Sequence, residues 1–375
     1  MKQRIYFPFV GDTIGGSHRS SLLLIKELKH RNIDAVIVVH EAGVLHDKLL
    51  HGNIEVLKLP IEIRPRKSRL LTIIEIVLSI RRICSFICYN KISLVHTNDA
   101  RIQLLWAIPC WICRVPMVWH QRTIFSDSKI LRLFSNQFAT TIVSISHAVH
   151  NSLTAKSQQI SRIVYNPISL KSASYNLVES KRNYILEQAS TTQANSFIIG
   201  YFGNLRFVKR PMVFIEAANL LSRLTDPIVI FCVFGEDRES FIPRMKSHAS
   251  DRGFIDRLFF FGFQSEIEPW IAACDLTIST SVGEGFGRIL PESMALGTPV
   301  LATNSGGHVE IVTHNVNGML ATPEDPAAIA NMVVAYITDD QLRDSIIAEG
   351  LKYVKQYDVV HHADQIMLVY KQILN

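Results

Sequence analysis

The chain has 375 residues, of which 48% are hydrophobic, with 18 Gly and 14 Pro; this excludes intrinsic disorder, collagen-like repeats and a small disulfide-stapled domain. Its length favours two domains, because single cores stop growing efficiently beyond about 250 to 300 residues. The formal net charge of +6 hides an asymmetry: residues 1–190 hold 25 basic and 12 acidic side chains, the remainder 14 and 21, so the basic half suits an anionic partner such as nucleic acid, an anionic membrane or an anionic substrate.

In chain order, short β-branched and aromatic runs alternate with amphipathic stretches, the pattern of parallel βαβ units. Strands are predicted near Arg4 to Val10, Ala35 to His40, Ile54 to Leu59, Ser93 to Thr97, Met117 to His120 and Thr140 to Ser146. The apolar stretches Leu70 to Ile87 and Leu104 to Cys113 are interrupted by charge or too short for the roughly 20 residues of a membrane span. No signal-peptide core follows Met1, and six cysteines are too few for a disulfide framework, so a cytoplasmic protein is expected. A polar stretch, 169–196, reads as the linker between an N-terminal domain, 1–168, and a C-terminal domain, 197–357. Strands resume at Phe197 to Gly203, Ile228 to Phe234, Leu258 to Gly262, Asp275 to Ser279 and Pro299 to Ala302. The end, 358–375, reads as a helix packing back on the N-terminal domain. The expected fold class is α/β, two Rossmann-like parallel-sheet domains facing across a cleft, with ligands at the carboxyl ends of the strands.

The densest chemical signal runs from Gly283 through Glu284, Gly285, Phe286, Gly287, Arg288, Ile289 and Pro291 to Glu292 and Gly297. A glycine-rich turn from strand to helix presents backbone N–H groups at a terminus carrying roughly +0.5 charge, which suits an anion. Pro291 is tolerable only in the first helical turn, and Gly297 fits just past the helix end. Glu284 and Glu292 are poor direct ligands of a phosphate but good acceptors from the sugar hydroxyls on either side of a nucleotide diphosphate.

This stretch resembles the retaining, nucleotide-sugar-dependent glycosyltransferases of family 4, of GT-B architecture, whose hallmark is two glutamates separated by seven residues in the context found here at Glu284 to Val300. The resemblance implies that Glu292 holds the ribose, that Glu284 lies against donor-sugar hydroxyls, and that amides of Gly287, Arg288 and Ile289 meet the diphosphate. A second family element follows the first strand of the C-terminal domain as Gly203-Asn204-Leu205-Arg206-Phe207-Val208-Lys209. Lys209 matches the family's phosphate-binding lysine; Asn204 stands where the family has arginine, with Arg206 as candidate substitute. Gly15 and Gly16, after the first strand, are implied to bring amides to the donor phosphate, and His120 to face the donor sugar.

The catalytic set is therefore His120, Glu284 and Lys209. Donor binding falls to Gly15, Gly16, Asn204, Arg206, Lys209, Gly285, Phe286, Gly287, Arg288, Ile289 and Glu292. The implied activity is metal-independent, retaining transfer of a hexose-type sugar from a nucleotide-diphosphate sugar to a glycan or lipid-linked acceptor, as in cell-surface polysaccharide or glycolipid synthesis. No cofactor, metal or nucleic acid is expected, since the nucleotide sugar is a substrate. Cys110 and Cys113, with Cys84 and Cys88, lie in apolar helical stretches where thiols pack as small hydrophobes. The basic run Arg64 to Arg69, ahead of an amphipathic helix, suits a peripheral site on an anionic membrane surface at the inner face of the cell membrane. Two other readings stay open: an NAD(P)-dependent oxidoreductase using the loop Gly11 to Gly16 with Glu41, and a non-catalytic nucleotide-sugar-binding protein.

Overall fold

A computed structural model describes residues 4–51, 56–61, 69–125, 129–170, 172–192, 196–224 and 226–374, with the backbone alone at 51 and 69–76. The chain forms two compact units, Met1–Pro167 with Val359–Asn375, and Ile168–Asp358. Each is built on one parallel sheet.

The first unit contains β1 (Arg4–Phe9), β2 (Asp34–Val39), β3 (Val56–Lys58), β4 (Leu94–Thr97), β5 (Met117–Gln121), β6 (Thr141–Ser144) and β7 (Ser161–Ile163), in the order β3-β2-β1-β4-β5-β6-β7. β1 shows why the sequence reads as continuous apolar runs: a central parallel strand is buried on both faces. Its Ile5, Phe7 and Phe9 point into one core with Leu24 and Leu28, while Tyr6 points into another with Trp106 and Trp119. The last helix, Val359–Leu374, belongs to this unit. Ala363, Ile366, Val369 and Tyr370 complete the core around Leu24 and Leu28, His362 Nδ1 donates to the Tyr165 carbonyl at 2.7 Å, and Arg31 pairs with Asp364.

The second unit contains β8 (Ser196–Phe202), β9 (Ile228–Phe234), β10 (Leu258–Gly262), β11 (Leu276–Ser279), β12 (Val300–Thr303) and β13 (Met319–Ala321), in the order β10-β9-β8-β11-β12-β13. Both sheets are parallel throughout, with β1 and β8 each starting a doubly wound half, so the α/β expectation of two Rossmann-like domains describes the fold. The sequence gives no sign of β7 and β13, which are three-residue edge strands too short to show a period.

The stretch taken as linker, 169–196, holds a helix, Tyr175–Gln188. Only Ile185 and Leu186 are buried along it, too few for an apolar stripe. Polar contacts do the rest: Arg182 reaches the Asp275 carboxylate at 3.1 Å and the Ala273 carbonyl at 2.9 Å, and Lys181 sits 4.6 Å over the Trp270 ring. Among the described residues no helix is long and apolar enough to cross a membrane. Arg64 to Ser68 of the basic run lie outside the described residues.

Candidate active site

In each sheet the strand order reverses beside the first strand, between β1 and β4 and between β8 and β11. Loops leaving the carboxyl ends of strands at such a point diverge and leave a crevice where open α/β sheets bind ligands. In the second unit these are the Gly203–Arg210 loop after β8 and the Thr280–Gly287 loop after β11, the two segments singled out in the sequence.

The two loops are fastened to each other. Thr280 Oγ1 donates to the Lys209 carbonyl at 2.8 Å, Tyr201 Oη donates to the same carbonyl at 3.1 Å, and the Val282 amide donates to the Val208 carbonyl at 2.9 Å. With its backbone so held, Lys209 extends its ammonium onto the Glu284 carboxylate. Burial pushes the Glu284 carboxyl up, but the Lys209 ammonium and a hydrogen bond from it outweigh burial and hold it below its ordinary value. Glu284 is therefore ionised at neutral pH. Its side chain keeps 22% of its surface and that of Lys209 25%, so both are reachable by a ligand.

His308 completes this cluster and was not foreseen. It is fully buried, its Nδ1 3.1 Å from the Thr303 carbonyl and its Nε2 3.3 Å from Ser279 Oγ. A carbonyl can only accept, so Nδ1 carries the proton and Ser279 donates to Nε2. Burial pushes its pKa down to about 4, against an opposing pull from Glu284. The ring packs against the backbone of Gly287, where φ is +84° and an added Cβ would lie 2.7 Å from His308 Cδ2. Gly306 and Gly307 make room for the Glu284 loop: a Cβ on Gly306 would meet the Glu284 carbonyl oxygen at 2.4 Å, and the Gly307 amide donates to that oxygen at 2.7 Å.

The remaining donor-binding candidates separate. The helix after Gly287 spans Ile289–Ala295, with Pro291 in its first turn and Gly297 at φ +76° beyond its end. Arg288 donates to Glu292 Oε1 at 2.6 Å, one turn along. Gly285 lies under Gly307, whose added Cβ would meet the Gly285 carbonyl at 2.6 Å. Phe286 turns its ring inward, 2% exposed and edge-on to Tyr357 at 5.4 Å, so only its backbone faces the loop. Asn204 serves the scaffold: its Oδ1 accepts the Glu236 amide at 3.1 Å. Arg206 is exposed. Its neighbour Arg210 stacks 4.0 Å over Phe207 and pairs with Glu324.

In the first unit the loop after β1 carries Gly15 and Gly16, expected to bring amides to the donor phosphate. Gly15 and Gly16 are exposed at the start of the helix Gly16–His30, but the Gly15 amide already donates to His18 Nδ1 at 3.0 Å. The position that requires glycine is Gly11, at φ +107°, where a Cβ would lie 2.1 Å from the Glu41 carbonyl oxygen. His120 is fully buried at the end of β5. Its Nδ1 lies 2.9 Å from His96 Nε2, and His96 Nδ1 lies 2.6 Å from Tyr370 Oη. Burial, with Arg122 nearby, holds both imidazoles neutral. Among the described residues His120 Nε2, which is buried, has no hydrogen-bond partner. Burial raises the thiols of Cys110 and, to about 12, Cys113, whose Sγ lies 3.9 Å from the Cys84 carbonyl.

Residues 185–353 match the sequence model of the family described as glycosyl transferases group 1. The chain is 22% identical, over 95% of its length and 94% of the relative's, to the Escherichia coli UDP-Gal:alpha-D-GlcNAc-diphosphoundecaprenol alpha-1,3-galactosyltransferase. It is 26% identical to the lipopolysaccharide core biosynthesis mannosyltransferase LpcC of Rhizobium leguminosarum bv. viciae, over 50% of this chain and 54% of that one. Among solved structures, Anabaena HepE in complex with UDP-glucose superposes with a TM-score of 0.83 at 25% identity, covering 98% of this chain and 99% of that one. A glycosyltransferase from Rickettsia africae does so with a TM-score of 0.84 at 18% identity, covering all of both chains. The two parallel-sheet domains, the match across the second unit and the run of such relatives together support a glycosyltransferase of the GT-B type.

Proposed function

We propose that the chain transfers a hexose-type sugar, with retention of anomeric configuration, from a nucleotide-diphosphate donor to a glycan or lipid-linked acceptor of the cell surface. The observation that carries this reading is the Lys209–Glu284 pair, reachable at the strand ends and backed by His308. As the sugar–phosphate bond breaks, the phosphate oxygen gains negative charge and the anomeric carbon becomes oxocarbenium-like. The Lys209 ammonium has three N–H donors and gives one to Glu284, which leaves two for the departing phosphate. With the amides of Gly287 to Ile289 it would stabilise the leaving group electrostatically, and the reading gives no metal ion a part. Glu284, kept ionised, accepts from donor-sugar hydroxyls; Glu292, oriented by Arg288, accepts from the ribose. Retention follows from attack on the face the phosphate leaves, with that phosphate taking the acceptor proton.

UDP-sugars are the first donors to try, since HepE was crystallised with UDP-glucose and the Escherichia coli relative uses UDP-Gal. The test is a thermal-shift panel of UDP-, GDP- and ADP-sugars followed by an assay of nucleoside diphosphate release. Lys209→Ala should slow release by about 10²- to 10³-fold, the usual cost of one preorganised donor. Glu284→Ala should lower turnover, and Glu292→Ala should raise the KM for donor. Unchanged release and affinity in all three variants would sink the assignment.

A further inference from the structure

Near the carboxyl end of β5 the first unit buries a row of hydrogen-bonded rings that the proposed chemistry leaves unused. His96 and His120 are both neutral, so each imidazole holds one N–H and one bare nitrogen. Tyr370 Oη lies 2.6 Å from His96 Nδ1, and His96 Nε2 lies 2.9 Å from His120 Nδ1. Hydrogen bonds in such a row run in one of two senses. If His96 Nδ1 donates to the phenol oxygen, then His120 Nδ1 donates to His96 Nε2, and His120 Nε2 is bare. If the phenol donates to His96 Nδ1, then His96 Nε2 donates to His120 Nδ1, and His120 Nε2 carries a proton.

The unmatched groups select the second sense. Tyr370 is buried, and among the described residues its hydroxyl has no hydrogen-bond partner besides His96. Burial pushes the phenol above its ordinary pKa, so it keeps its proton. In the first sense two buried groups go unmatched, that O–H and the bare His120 Nε2; in the second only the His120 Nε2–H does. Each buried polar group left without a partner is costly, so the sense with one prevails. The His120 ring is also held in place: His362 stacks on it at 6.2 Å with 21° between the planes, and His362 Nδ1 is tied to the Tyr165 carbonyl at 2.7 Å. Tyr370 and His362 both come from the helix Val359–Leu374. The N–H left over stands beside the end of β5, where open α/β sheets bind ligands.

We propose that Tyr370, acting through His96, is a positioning residue that fixes His120 as the Nε2–H tautomer, a hydrogen-bond donor for an oxygen of the bound ligand. The tautomer stands on the row of rings alone; that the oxygen belongs to the donor sugar rests on the proposed function. A bare imidazole nitrogen could abstract a hydroxyl proton, whereas an N–H holds an oxygen, so His120 serves recognition and not proton abstraction. The full chain, labelled with heavy nitrogen in histidine, is read by two-bond proton–nitrogen correlation at neutral pH. Signals are assigned by their loss in His96→Gln and His120→Gln. Both rings should show the proton on Nε2, and Tyr370→Phe should move His96 Nδ1 to the position of an acceptor that has lost its donor. A proton on His120 Nδ1, or a His96 Nδ1 signal indifferent to Tyr370→Phe, would overturn the inference. With a donor sugar in hand, Tyr370→Phe should lower kcat at least about tenfold, as loss of an outer group that orients a histidine does. It should lower kcat no further in a His120→Gln background. Equal losses in both backgrounds would mean that Tyr370 supports only the core, against the proposal. The spectra need no substrate, so they decide the tautomer even where no nucleotide sugar is turned over, a result that would sink the proposed function alone.

Discussion

Gly287 shows how one missing side chain shapes the candidate site. Its φ of +84° is a conformation that other residues occupy with strain, and the His308 ring fills the space a methyl group would need. Gly287→Ala should therefore destabilise the second unit by about 1 to 3 kcal/mol. Adding His308→Ala should recover the steric part of that loss but not the backbone part. A double-mutant cycle of melting temperatures checks this; simple additivity of the two substitutions would show that the contact is unimportant. Arg210 is the opposite case. It adopts the left-handed region at φ +50° without being glycine, and is held there by its stack on Phe207 and its pair with Glu324.

Among the elements, the helix Val359–Leu374 has the clearest energetic role. Removing it would uncover Leu24 and Leu28 and delete Ile366, Val369 and Tyr370 from the same core. At about 1.5 to 3 kcal/mol for each large buried side chain, the loss rivals the 5 to 15 kcal/mol that holds a typical domain together. Ending the chain at Asp358 should abolish hydrogen-exchange protection in β1 and β2 while leaving β8 and β9 protected; equal protection in both sheets would refute this. Elements of this kind were legible because their apolar runs are long: β1, β5, β8 and β9 were all placed from the sequence. The run Glu284 to Val300 was legible for another reason, since its chemistry is contiguous. His308 was hidden because it reaches Glu284 only after the chain has made β12, and nothing local marks a buried histidine as the support of a distant loop. That Gly11 is the strained position of the loop after β1 was not legible, because glycine in a sequence advertises freedom without saying where φ is positive. The helix Tyr175–Gln188 was missed because an ion pair to Asp275 replaces the apolar stripe that periodicity detects.

At the scale of the whole molecule, both units bury neutral histidines, His96 and His120 in the first and His308 in the second. A histidine whose folded pKa is depressed binds fewer protons folded than unfolded. Its contribution is complete above the unfolded pKa near 6.5 and is lost as pH falls towards the folded value. For His308 that window runs from 6.5 down to about 4, and the change is on the order of 3 kcal/mol. Glu284, also depressed, adds a loss in the same direction at lower pH. The melting temperature should fall steadily on acidification through this range, and His308→Asn should flatten the fall. A melting temperature independent of pH between 6.5 and 4 would mean that these imidazoles are not held neutral by the fold.

The second unit is an uninterrupted segment, while the first is written in two segments, one before it and one after it. On the ribosome, residues 168–358 emerge as a block able to collapse by itself, but the amino-terminal sheet must wait with Leu24 and Leu28 uncovered until the closing helix is translated. The amino-terminal sheet, made before residues 168–358, is thus finished after them, and nascent chains stalled before Val359 would present greasy surface to chaperones.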